Sequence, residues 1–99
     1  MTEPREITVC CLLWANPGEK AAMTGYEDQV LALVPEHGAR VLQRVVGSGA
    51  DGHPHEVQVY AFPDRDSLDA YLADPRRTAL NDVRDRVVAR TELFEVELR

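Results

Sequence analysis

Nine uncharged residues, "ITVCCLLWA" at positions 7–15, form the longest apolar run in the chain, and they are rich in β-branched and bulky side chains. A run of this kind, stopped by Asn16–Pro17, predicts a strand covered on both faces and therefore central in its sheet. The period then changes. Met23, Tyr26, Val30, Leu33 and Val34 recur at spacings of three and four, which is the apolar stripe of an amphipathic helix. Asn16 as cap, Pro17 at the first helical position and Glu19 as the capping-box acid predict where it starts, with a second box at Thr24-x-x-Glu27. Pro35 predicts a kink or frayed end, because it lacks the backbone donor and crowds the preceding turn. Gly38 then suits the left-handed residue just past a helix C-terminus.

"ARVLQRVVG" reads as a second strand and "SGADGHP" as the hairpin loop that follows it. "EVQVYAF" alternates, so Val57, Val59 and Ala61 are expected on one face, toward the helices, and Gln58, Tyr60 and Phe62 on the other. Asp64 caps a second helix with Leu68, Tyr71 and Leu72 as its buried stripe. Asp74–Pro75 repeats the device for a third, whose apolar edge is Leu80, Val83 and Val87. "TELFEVEL" closes the chain with another alternating strand.

The order β-α-β-β-α(α)-β is the split βαβ arrangement of ferredoxin-like α+β folds, an antiparallel four-stranded sheet with helices on one face. Residues 1–99 make one domain on grounds of length. Helices on one face leave the other bare, and Leu12, Trp14, Tyr60 and Phe62 are expected there. Left open, they would form a larger apolar patch than soluble monomers tolerate. A second copy packed sheet to sheet by two-fold symmetry, enclosing a cavity, is the expected remedy.

Charge and cysteine content narrow the partners. A formal net charge of −6 argues against nucleic acid, which needs a basic face. The run 7–15 is about half the ~20 residues of a membrane helix, and the acidic flank MTEPRE does not read as a leader. Cys10 and Cys11 are neighbours on a strand and point to opposite faces, so they cannot readily pair. A reducing cytoplasm is the expected setting.

Three stretches carry a resemblance: "YEDQVLALVPEHGARVLQRV", "HEVQVYAFPDRDSLDAYLADPRRTAL" and "RDRVVARTELFEVEL". Through Tyr26, His37–Gly38–x–Arg40, Phe62–Pro63 and "AYLADP", the chain resembles the small dimeric α+β-barrel proteins. The likeness is to an uncharacterised branch, a domain of unknown function, related to the antibiotic biosynthesis monooxygenases and to polyketide-tailoring proteins. It implies a dimeric α+β barrel and, in the sister branches, work on aromatic metabolites without a bound cofactor. Relatives often carry a glutamate before the Phe–Pro pair. This chain has Ala61, so any role of that acid is missing.

Candidate chemistry is sparse. Tyr60 can donate a hydrogen bond or proton, and Leu12, Trp14, Gln58 and Phe62 are candidates to line a substrate cavity. His37 is a candidate base and Arg40 a candidate anion clamp. Both also have a structural reading: His37 on the dipole of a helix end, Arg40 paired with Glu36 or another surface carboxylate. His53 and His55, with Asp51 and Glu56 nearby, lack a third ligand of convincing spacing, so no metal is expected. Cys10 and Cys11 read as core packing rather than nucleophiles. Two readings stay open: a cofactor-independent monooxygenase or tailoring enzyme with Tyr60, His37 and Arg40 in catalysis, or a non-catalytic dimeric module that binds a hydrophobic small molecule or a protein. A dimer whose interior is merely packed is the leanest alternative.

Overall fold

The computed structural model describes residues 6–99; residues 1–5, which make up most of the flank read as lacking a leader, lie outside the described residues. The elements run β1 (Ile7–Ala15), α1 (Lys20–Leu31), a 3₁₀ turn (Val34–His37), β2 (Arg40–Val46), β3 (Glu56–Phe62), α2 (Arg65–Leu72), α3 (Pro75–Thr78), α4 (Asn81–Val87) and β4 (Val88–Val96). The strands form one sheet in the order β2-β3-β1-β4, and every neighbouring pair is antiparallel. β1 is therefore an inner strand, as its uncharged run predicts.

The helices cover one face. Met23, Tyr26, Val30 and Val34 from the first stripe pack with Leu68, Tyr71 and Val87 onto Val9, Cys11 and Leu13 of β1. The Tyr71 hydroxyl donates to the Val30 carbonyl at 3.1 Å and so ties α2 to the end of α1. Among the described residues no helix is long and apolar enough to cross a membrane.

Local signals are used in part as expected. Asp64 accepts from the Ser67 N–H at 2.8 Å and Asp74 from the Arg76 N–H at 2.9 Å, so both Asp caps are real. The start of α1 is different. Its cap position is Glu19, without a side-chain cap, and Asn16 instead donates from Nδ2 to the Arg86 carbonyl at 2.8 Å. Asn16 thus satisfies an orphan carbonyl at the end of α4 rather than orphan donors of α1. Thr24 bonds back to the Lys20 carbonyl within a helix that runs unbroken through Gly25. The expected third helix is two short ones, α3 and α4, separated at Ala79–Leu80.

Pro35 is the second residue of the 3₁₀ turn, four residues beyond the end of α1 at Leu31. Gly38 has φ 72°, and a Cβ there would lie 3.1 Å from Pro63 Cγ. A side chain would meet both left-handed strain and the proline that opens the route to α2.

Candidate functional site

Strand register decides which side chains share a face. Val9, Cys11 and Leu13 of β1 stand opposite Tyr60, Gln58 and Glu56 of β3, all turned toward the helices. Cys10 and Leu12 stand opposite Val59 and Val57 on the bare face. The facing expected for β3 is therefore inverted: Gln58, Tyr60 and Phe62 lie under the helices, and Val57, Val59 and Ala61 on the other side. Leu12 and Trp14 are on the bare face, as expected. The reason is that β3 is an inner strand, and its buried polar residues satisfy one another instead of marking a wet side.

On the helix side a cleft of about 520 Å³ opens between the sheet and α2–α4. Tyr60, Leu68, Tyr71, Leu72 and Leu93 give it an apolar, aromatic wall, with Cys11 beside Tyr60. Arg77, Thr78, Asn81, Arg84, Asp85 and Thr91 form its polar side. Size and lining are those of a small-molecule site. Tyr60 and Phe62 meet edge to face with centroids 6.0 Å apart, and Phe62 packs on Tyr71, so Phe62 supports the wall from behind.

The tyrosine is held by a buried polar chain. Tyr60 Oη donates to Gln58 Oε1 at 2.5 Å, and Gln58 Nε2 donates to Glu27 Oε1 at 2.8 Å and Glu56 Oε2 at 2.6 Å. Arg44 closes the chain: Nε donates to Glu56 at 2.6 Å and Nη1 to Asp28 on α1. Burial raises the Glu27 carboxyl above the usual range, against the hydrogen bond from Gln58. Burial also pushes the Cys11 thiol up to about 11 and the Tyr71 phenol up to about 12, and it raises Tyr60 further still. At neutral pH the thiol and both phenols of the cleft are protonated, and the Tyr60 proton is committed to Gln58.

His37 and Arg40 lie outside the cleft. His37 Nε2 meets Asp74 Oδ2 at 2.8 Å, and its ring packs edge-on against Tyr71. Asp74 also accepts from Arg76 Nη2 at 2.8 Å, and Arg76 reaches Glu36 at 2.8 Å. His37 therefore fastens the turn before β2 to the start of α3. Arg40 is exposed and pairs with Glu6 at 3.5 Å, not with Glu36. His55 accepts the Ala15 N–H on Nδ1 at 3.0 Å, which uses it as a backbone partner for β1. Among the described residues, no three His, Cys, Asp or Glu side chains gather as metal ligands would.

The Asp74 cluster has a pH signature. Hydrogen bonds from Arg76 and then His37 hold the Asp74 carboxyl well below the usual range. Its folded value is lower than its unfolded one, so the unfolded chain binds more protons in acid. The stabilisation is whole above the ordinary aspartate range and is lost as pH falls through it, from about pH 5 downward. Thermal melts should fall more steeply with acid in the wild type than in Asp74→Asn, which keeps the capping oxygen without the charge. Parallel slopes would rule this out.

The bare face is apolar at its centre. Cys10, Leu12, Val57 and Val59 are flanked by Val45, 51% exposed, on β2 and Phe94, 43% exposed, on β4. Trp14 closes one end, its indole N–H donating to the Gly52 carbonyl at 2.9 Å and its ring 4.5 Å from the Arg90 guanidinium. That guanidinium contact and the hairpin hold Trp14 at the rim of the bare face, away from the cleft.

Solved structures of the same architecture exist. A Pseudomonas aeruginosa protein is 13% identical, with 95% of this chain and 94% of that one aligned at a TM-score of 0.73. A dimeric Bacteroides fragilis protein of unknown function and ferredoxin-like fold is 12% identical, with coverages of 94% and 96% and a TM-score of 0.70. The fold is ferredoxin-like. A proposed antibiotic biosynthesis monooxygenase from Bacteroides thetaiotaomicron aligns equally well, at 13% identity, coverages of 94% and 89% and a TM-score of 0.73. No family model matches the chain, and no curated protein does.

Within this ferredoxin-like frame, the cleft brings together one candidate of the sequence reading, Tyr60, with Gln58 and Phe62 directly behind it. Arg77, Arg84 and Glu27 were missed. Glu27 had a legible signal: it lies between Met23 and Val30 on the buried stripe of α1, where an acid requires a partner from the facing sheet.

Proposed function

We propose that this chain is a homodimeric protein that binds a planar, largely apolar small molecule in the cleft between the sheet and α2–α4. The observation that carries the reading is that cleft, about 520 Å³ with tyrosines and leucines on one wall and polar groups on the other. A second copy of the chain closes the bare sheet face, as the dimeric Bacteroides fragilis neighbour supports. Two free thiols, Cys10 and Cys11, suit a reducing cytoplasm.

Binding has more support than catalysis. The cofactor-free oxygenation implied by the sequence resemblance would draw on Tyr60, His37 and Arg40. Only Tyr60 lines the cleft, and it is held protonated with its hydrogen on Gln58.

Light scattering should report twice the 11.1 kDa of one chain. Calorimetry should detect 2-naphthamide, a neutral fused-ring probe, and Leu72→Trp, which puts a larger side chain on the cleft lining, should weaken it at least about tenfold while the dimer persists. Binding unaffected by that substitution, or no binding at all, would refute the cleft as the site.

A further inference from the structure

Most arginines of this acidic chain are paired. Among the described residues Arg40, Arg44, Arg65, Arg76, Arg90 and Arg99 each have a carboxylate oxygen within 4 Å, and Arg86 is exposed. The remaining two, Arg77 and Arg84, are both partly buried, both line the cleft, and have no such partner among the described residues.

Their other contacts leave donors free. The Arg77 guanidinium carbon lies over the Tyr71 ring, 5.2 Å from its centroid. Arg77 Nε is buried and without an acceptor. Arg84 makes one weak neutral bond, from Nη2 to Thr91 Oγ1 at 3.2 Å. Asp85 also lines the cleft, yet it comes within 4 Å of neither guanidinium, so two cations face one anion there.

A buried N–H without a partner costs about 1–3 kcal/mol, so the Arg77 guanidinium is under-satisfied where it stands. A flat guanidinium presents a fork of N–H donors suited to grip two oxygens of one carboxylate. The opposite wall is hydrocarbon and aromatic ring. We infer that the cleft takes an aromatic acid, its ring against Tyr60, Leu68 and Leu72 and its carboxylate at Arg77 and Arg84. This rests on the cleft being the ligand site. The net charge of −6 opposes anions at long range, so the preference is local to these two side chains.

Calorimetric titration of the wild-type protein with 2-naphthoate and with 2-naphthamide separates the two ideas. The acid should bind at least about tenfold more tightly than the amide at neutral pH, the gain of a charge-assisted pair over a neutral one. Arg77→Gln should bring the two within about threefold, lowering acid affinity more than amide affinity. If the amide binds as well as the acid, the anion assignment fails and the cleft stands. If the preference survives in both Arg77→Gln and Arg84→Gln, the carboxylate is held elsewhere and the assignment fails. If neither compound binds, the ligand site itself is wrong and the inference falls with it. The wild-type comparison decides even where a variant does not fold.

Discussion

Arg44→Met should lose about 3 kcal/mol of unfolding free energy, the low end of what removing one partner of a buried pair costs. Glu56 is 0% exposed, and its compensating charge comes from Arg44 Nε at 2.6 Å. Without that guanidinium, a carboxylate stays in the core beside Glu27, sharing only the Gln58 amide. Arg44 itself is about a quarter exposed, so water screens part of the loss. Urea titration gives the value. Arg44→Met combined with Glu56→Leu should recover at least half of it, because an apolar pair needs no compensation. A single variant within about 0.5 kcal/mol of wild type would show that the pair behaves as a surface bridge.

Val59→Glu should separate the proposed dimer. Val59 stands opposite Cys10 at the centre of the bare face, on an inner strand. In a two-fold dimer joined through this face the new carboxylate would stand twice in one interface, where each would lose water and face its own copy. Weakening by at least about a hundredfold is expected, from burying an unpaired charge in an apolar contact. Light scattering would then report 11.1 kDa instead of twice that mass. An unchanged dimer would mean that another surface joins the copies.

The sequence made the architecture readable because its punctuation is local. Asp64 and Asp74 cap helices through their own side chains, and Gly38 turns left-handed at φ 72°, as residue type alone suggests. Asn16 misled because its partner carbonyl belongs to Arg86, seventy residues away. The facing of β3 was illegible for another reason. Alternation reveals a face only when one side is wet, and both sides of β3 are covered or apolar. Glu56 and Gln58 look like solvent residues, but Arg44, Glu27 and Tyr60 satisfy them inside. The cleft arginines could not be found from pattern, since helices 75–78 and 81–87 meet the sheet only in three dimensions and exposed arginines share the same segment.

Alternate positions of β1 face the cleft and the bare side of the sheet. Cys11 lines the cleft proposed for a ligand, while Cys10 and Leu12 lie on the bare face proposed for the partner copy. On that proposed reading, substitutions at one set of positions would act on recognition and those at the other on assembly. The same interleaving forbids a one-residue insertion in this strand, which would exchange the two sets and forfeit recognition and assembly together.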